Sequence, residues 1–213
     1  MNTISRFLAG ASLLLGSCLS SFASTIVIDF DSVSPGTGLD PTAYLASYGV
    51  TLSGVSPSNP LIFSDQAFYG SGVVLASSGH NFLTQQSASN GGGFTLNFST
   101  ALTQLEFTRI KNLTNNLVGT WTATAYAGAT AVGTYSEGFG LGSFSPATYS
   151  FSGAGITSLT INGNGFGVAG ISSAMIDDIK MTSAEPTPDA SSTLILLGLS
   201  LAAFAGLRRR VSR

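Results

Sequence analysis

Four aspartates are the residues of this chain whose types and spacing could do chemistry. Asp29 and Asp31 flank Phe30, so in an extended strand their side chains share one face. Asp177 and Asp178 are adjacent within the last apolar stretch of the body, Ala174 to Met181. Carboxylates joined by backbone carbonyls are hard oxygen donors, and Ca2+, which takes about 6–8 of them, is the ion they suit. That chemistry requires the first and last strands to lie side by side, as they often do in a jelly roll. Asp29, Asp31, Asp177 and Asp178 are therefore the candidate calcium ligands. A plainer reading stands beside this one, in which acidic, wet positions on two edge strands blunt the edges of a sheet.

Other chemistries find less support. His80 is the single histidine, and Ser78-Gly79-His80-Asn81-Phe82 carries no nucleophile-elbow pattern, so no Ser-His-Asp site is expected. Glycoside hydrolysis needs two carboxylates across a cleft. Glu106 and Glu137 are the well-separated glutamates of the body, and Glu106, near Arg109 and Lys111, reads as part of a solvated face. One histidine, with no cysteine beyond Cys18, cannot assemble a zinc set. The glycine-rich runs lack the Gly-Lys-Ser/Thr that ends a phosphate loop. The expectation is a protein that is not an enzyme. Sugar binding would use aromatic platforms. Trp121, the one tryptophan, alternates with threonines and reads as core; Tyr69, His80 and Phe82, in or near loops, are the other candidates.

The elements that must position these residues are strands. Thr25 to Phe30 reads as the first. Phe94, Leu96 and Phe98 alternate with Thr95, Asn97 and Ser99, and Leu105 and Phe107 with Glu106 and Thr108. Val118 to Tyr126 interleaves threonines with Trp121, Ala123 and Ala125; Tyr149 to Phe151, Leu159 to Ile161 and Ala174 to Met181 complete the series. Turn signals separate them, and helix is limited to a possible turn at Pro41 to Ala46. Period-two strands at this spacing predict an all-β fold, an antiparallel β-sandwich with a jelly roll as the expected variant. Residues 24–184 form this one domain, a length that buries a core without disulfides.

Both ends are signals rather than structure. Residues 1–23 read as a signal peptide: Arg6, an apolar run from Phe7 to Leu15, and Ser21-Phe22-Ala23, with signal peptidase cutting after Ala23. Leu15-Gly16-Ser17-Cys18 loosely resembles a lipoprotein box, but Cys18 reads better as an incidental cysteine of the discarded peptide. At the other end, 185–193 is a polar motif and linker, Leu194 to Leu207 is apolar, and 208–213 is basic. Fourteen helical residues span about 21 Å, and extension back to Ala190 gives about 27 Å, against a bilayer core of about 30 Å. Arg208, Arg209 and Arg210 form a cytoplasmic stop, leaving the body outside.

Pro188-Asp189, Ser192-Thr193, the Leu/Gly/Ala-rich segment and the arginine cluster follow one another in order at the chain end. This arrangement resembles the sorting signal of PEP-CTERM proteins of Gram-negative bacteria, and more closely its VPDSG-CTERM variant. Thr187 stands where the variant has Val, and Ala190-Ser191 where it has Ser-Gly. The resemblance implies an exosortase as processing partner, cleavage near Pro188 or Asp189, transient insertion in the inner membrane, and release to the cell surface or extracellular matrix. The function expected of such a protein is a structural role in extracellular polymer or biofilm, with a carbohydrate-binding module as the alternative and a hydrolase as the remote one. The body's Ile28-Asp29-Phe30-Asp31, Tyr48 to Leu52, Gly155 to Leu159 and Ile176 to Ile179 are similar to galactose-binding-like and carbohydrate-binding-module jelly rolls. That resemblance implies extracellular polysaccharide as a partner and a structural Ca2+ near the termini.

Charge excludes other partners. Ser24 to Glu185 carries three basic and nine acidic residues, about −6, although the whole chain has a formal charge of −2. No basic patch exists for nucleic acid or for anionic lipid.

Overall fold

The computed structural model describes residues 23–33, 38–55, 60–65, 76–85, 92–110, 119–138, 145–165 and 174–183. They lie almost wholly within one compact unit, Ser24–Ala184. Residues 1–22 with Cys18, Tyr69, Pro188, Asp189, the apolar tail and Arg208 to Arg210 lie outside the described residues. Among the described residues no helix is long and apolar enough to cross a membrane.

The fold is all-β and antiparallel. Strands β1 (Thr25–Ile28), β2 (Val50–Ser53), β3 (Leu61–Asp65), β4 (Asn81–Gln85), β5 (Gly92–Arg109), β6 (Gly119–Ala127), β7 (Thr130–Gly138), β8 (Ala147–Gly165) and β9 (Ile176–Ser183) form one sheet. One short helix, α1 (Thr42–Ser47), covers the expected helical turn at Pro41 to Ala46. The sheet order is β3-β4-β9-β5-β8-β6-β7, with β1 added on β9 and β2 on β5.

The sheet becomes a sandwich because its two longest strands run through both layers. The first half of β5 (92–97) pairs the end of β8 (158–163), with β2 and β6 on either side. The second half (102–109) pairs the start of β8, with β9 alongside. Register shifts between Asn97 and Gln104 mark the corner, since a bulge bends the strand and sharpens its twist. The inner faces then meet. Phe107 on the second half of β5 lies 6.1 Å from Trp121 on β6, and Tyr135 on β7 lies 5.0 Å from Phe151 on β8. One continuous core results, with Ile28, Phe94, Leu96, Leu105, Phe107, Trp121, Leu159 and Ile161 fully or almost fully buried.

Candidate functional site

Three of the four aspartates gather at one short loop, and the strand pairing explains how. β1 pairs β9 from Thr25↔Thr182 to Ile28↔Ile179, so the chain leaves the first strand beside the start of the last. β9 is not an edge strand: β5 flanks it on one side, β4 and β1 on the other. The edge-blunting reading therefore does not apply to Asp177 and Asp178. Between the pairs Glu106↔Lys180 and Thr108↔Asp177 the register slips by one, so two residues of β9 oppose Phe107 alone. This is a β-bulge, and Asp178 within it takes a positive φ of 47°. Adjacent strand residues normally point to opposite faces. Here the bulge brings both carboxylates to the loop at residues 77–79.

The contacts are dense. Asp177 Oδ2 accepts from the Ser77 N–H (3.0 Å), the Ser77 hydroxyl (2.9 Å) and the Ser78 N–H (3.3 Å), and its Oδ1 accepts from the Asp178 N–H (2.8 Å). Asp178 Oδ2 lies 2.5 Å from the Ser77 hydroxyl, and its Oδ1 2.7 Å from that of Ser78. The single hydrogen of Ser77 cannot serve both carboxylates at once. Burial, and then the Asp178 charge, push Asp177 up to about 7 despite its donors. Asp31 lies against the far end of the same loop, its carboxylate occupying the space a Cβ on Gly79 would take. Gly79 has φ +41°, so a side chain there would strain the backbone and have to displace the Asp31 carboxylate. Phe30, next to Asp31, holds φ 59° and is fully buried, with its carbonyl and that of Val33 accepting from Asn81 Nδ2.

Asp29 does not join them. It accepts the Asp31 N–H within its own turn (3.2 Å). Among the described residues no group of three or more Asp, Glu, His or Cys side chains is disposed to hold a metal ion. The site brings Asp31, Asp177 and Asp178 to one loop, with each oxygen of Asp177 and Asp178 beside a hydroxyl or a backbone N–H. It is a hydrogen-bonded clasp that ties the end of β1, the 77–79 loop and β9 together.

The other candidate residues are placed as follows. Ala23 is exposed ahead of β1. His80 is exposed beside the clasp, where Ser77 and Ser78 donate to carboxylates and not to an imidazole. Trp121 and Phe82 are fully buried and unavailable as sugar platforms. Glu106 stands opposite Lys180 on an outer face. Glu137 points inward instead and forms an ion pair with Arg109, whose guanidinium lies 4.7 Å from the centre of the Trp121 ring. Burial pushes Arg109 down to about 10 and raises Glu137. The two glutamates thus do not face each other across a cleft. Sequence reasoning missed this buried pair because Arg109 follows the solvated-looking Glu106, and the bulge in β9 has no composition of its own.

Comparison with curated protein sequences finds no match. Among solved structures, the K2 cleaved adhesin domain of Lys-gingipain is similar at 16% identity and a TM-score of 0.47, covering 75% of this chain and 99% of its own. The K1 adhesin domain of the same protein from Porphyromonas gingivalis W83 has 10% identity and a TM-score of 0.48 over 76% and 99%. A carbohydrate-binding module, TmCBM61 in complex with β-1,4-galactotriose, has 12% identity and a TM-score of 0.34 over 70% and 94%. At these values none of them identifies a ligand or an activity. The tail is different: residues 188–211 match the model of the VPDSG-CTERM motif, which makes this end of the chain an exosortase sorting signal of that type.

Proposed function

We propose that this protein is a secreted, non-catalytic β-sandwich that an exosortase separates from its tail and that then resides at the cell surface or in the extracellular matrix, as a structural component of extracellular polymer or biofilm. The observation that carries the reading is the VPDSG-CTERM match at 188–211, immediately after a compact unit that ends at Ala184. The absence of catalysis is supported by the site geometry. A serine activated by a histidine gives its hydroxyl hydrogen to the imidazole, whereas Ser77 and Ser78, the serines nearest in sequence to His80, spend theirs on Asp177 and Asp178.

Fractionation of the native host with mass spectrometry of the mature C-terminus tests the proposal. A chain ending near Pro188 or Asp189, recovered outside the cell, is the expected result. An intact Arg213 in the inner membrane would overturn it and make the tail a simple anchor.

A further inference from the structure

One outer face of the sandwich carries no charge at all among the described residues. It belongs to the layer β2-β5-β8-β6-β7, and the registers align its side chains into rows. Ser53 pairs Thr95, Thr95 pairs Thr160, Thr160 pairs Thr124, and Thr124 pairs Thr134, a row of five hydroxyls across five strands. A second row runs Asn162, Thr122, Ser136, and a third Thr51, Asn97, Ser158. All are exposed or half-buried, whereas the alternate residues Leu96, Leu159 and Ala123 are fully buried. Within the first row the hydroxyls of Thr95 and Thr160 are 2.9 Å apart, and those of Thr124 and Thr134 are 3.0 Å apart. Glu106 and Lys180, by contrast, lie on the outer face of the other layer. Surfaces usually carry about 25–35% charged residues to stay soluble and apart. This face keeps solubility by uncharged hydroxyls and amides.

We infer that this hydroxyl face is a binding surface for an uncharged, polyhydroxylated polymer, a neutral polysaccharide chain. The inference rests on the extracellular placement proposed above. Three features favour that occupant. Each hydroxyl both donates and accepts, as the hydroxyls of a sugar do, so rows of them can exchange hydrogen bonds with such a chain at any of several registers. The absence of charge removes the repulsion an acidic domain would impose on acidic polymers elsewhere, yet offers nothing to attract them. Sheet twist of roughly 20–25° per strand turns the five-strand row by roughly 80–100°. A rigid planar lattice cannot follow that curve, and a single flexible chain can. Many weak contacts along one polymer supply the affinity by effective concentration.

Affinity electrophoresis of the secreted protein through gels containing dextran, laminarin, hydroxyethylcellulose or alginate tests this. Retardation by at least one neutral polymer, unchanged between low and high salt and absent with alginate, is expected. Thr160→Asp should weaken it at least tenfold. Thr134→Asp, at an exposed position that leaves the core untouched, should weaken it similarly, with melting temperature as the check on folding. Ser152→Asp, on the outer face of the other layer, should bind as the native protein does. Indifference to all three neutral polymers, retardation by alginate alone, or equal binding by Thr134→Asp would each overturn the inference. So would self-association that Thr134→Asp removes, which would give the face to a second copy. None of these results alters the C-terminal mass, so sorting and polymer binding fail separately.

Discussion

Asp177 combines burial, a neighbouring carboxylate and four donated hydrogen bonds, and its titration follows from which of these prevails. Burial and Asp178 hold it near 7, against an ordinary value of 3.8 that it regains when the chain unfolds. Between about pH 4 and 7 the folded protein therefore keeps a proton the unfolded chain has lost. Stability from this group is complete below that window, falls as pH rises through it, and is gone above it. Melting curves across pH 4–8 should show this decline, and Asp177→Asn, which cannot ionise but still accepts from Ser77 and Ser78, should flatten it. An unchanged slope in the variant would assign the decline to another group. The same crowding of donors bears on calcium: millimolar calcium should leave the melting temperature where EDTA leaves it. A rise that Asp178→Asn abolishes would show the ion displacing the serines. At Gly79, a methyl must displace the Asp31 carboxylate and hold φ +41°. Gly79→Ala should cost about 1–3 kcal/mol, seen as a melting temperature lower by several degrees.

Elements meet across the sandwich through Arg109 at the end of β5 and Glu137 near the end of β7, with Trp121 beneath the guanidinium. Removing one partner leaves the other charge in a site that already disfavours it, as the lowered Arg109 and raised Glu137 values show. Glu137→Leu should cost about 1–3 kcal/mol, discounted from a fully buried pair because Glu137 retains some contact with water. Arg109→Met with Glu137→Leu should recover most of the loss, a cycle read by denaturant titration. A double variant no more stable than Glu137→Leu alone would mean the pair also fixes the register of β7. The alternation of Phe94, Leu96, Phe98 and of Trp121, Ala123, Ala125 was legible in the sequence because each strand has one wet face. β3 and β4 were not, because Leu61–Ser64 and Asn81–Gln85 are buried on both faces and show no period of two. β7 hid for the opposite reason, its inward residues being Gly133, Tyr135 and Glu137. The long strands β5 and β8 read as two pairs of short ones, since polar residues at the corner interrupt the pattern that bulges carry through. Of the aspartate site, the meeting of β1 and β9 was foreseeable from topology. The bulge at Asp178, which decides where its carboxylate goes, was not.

At the scale of the whole molecule, the proposed function makes the chain a folded body between two addresses, and the distribution of charge accords with that. The whole sequence is formally −2, but five of its eight basic residues lie in the end segments, so the domain between them is strongly acidic. The tail is too short to be a comfortable span, and on the sorting proposed above its arginines would hold it in place only until the motif is cut. Cleavage, rather than the apolar segment, should then decide where the protein ends up. Pro188→Ala with Asp189→Ala leaves Leu194 to Leu207 and Arg208 to Arg210 intact, and so leaves insertion intact while altering the recognised motif. The expected outcome is a membrane-bound chain retaining Arg213, with its β-sandwich still folded outside the membrane and accessible to added protease at exposed loops. Quantifying the secreted and membrane fractions by immunoblot, with C-terminal peptides read by mass spectrometry, checks it. Continued release of a chain truncated near residue 189 would show that the enzyme reads the helix and arginines instead of the Pro-Asp pair. In that case substitution of Arg208 to Arg210 by serine should abolish release where the motif variant did not.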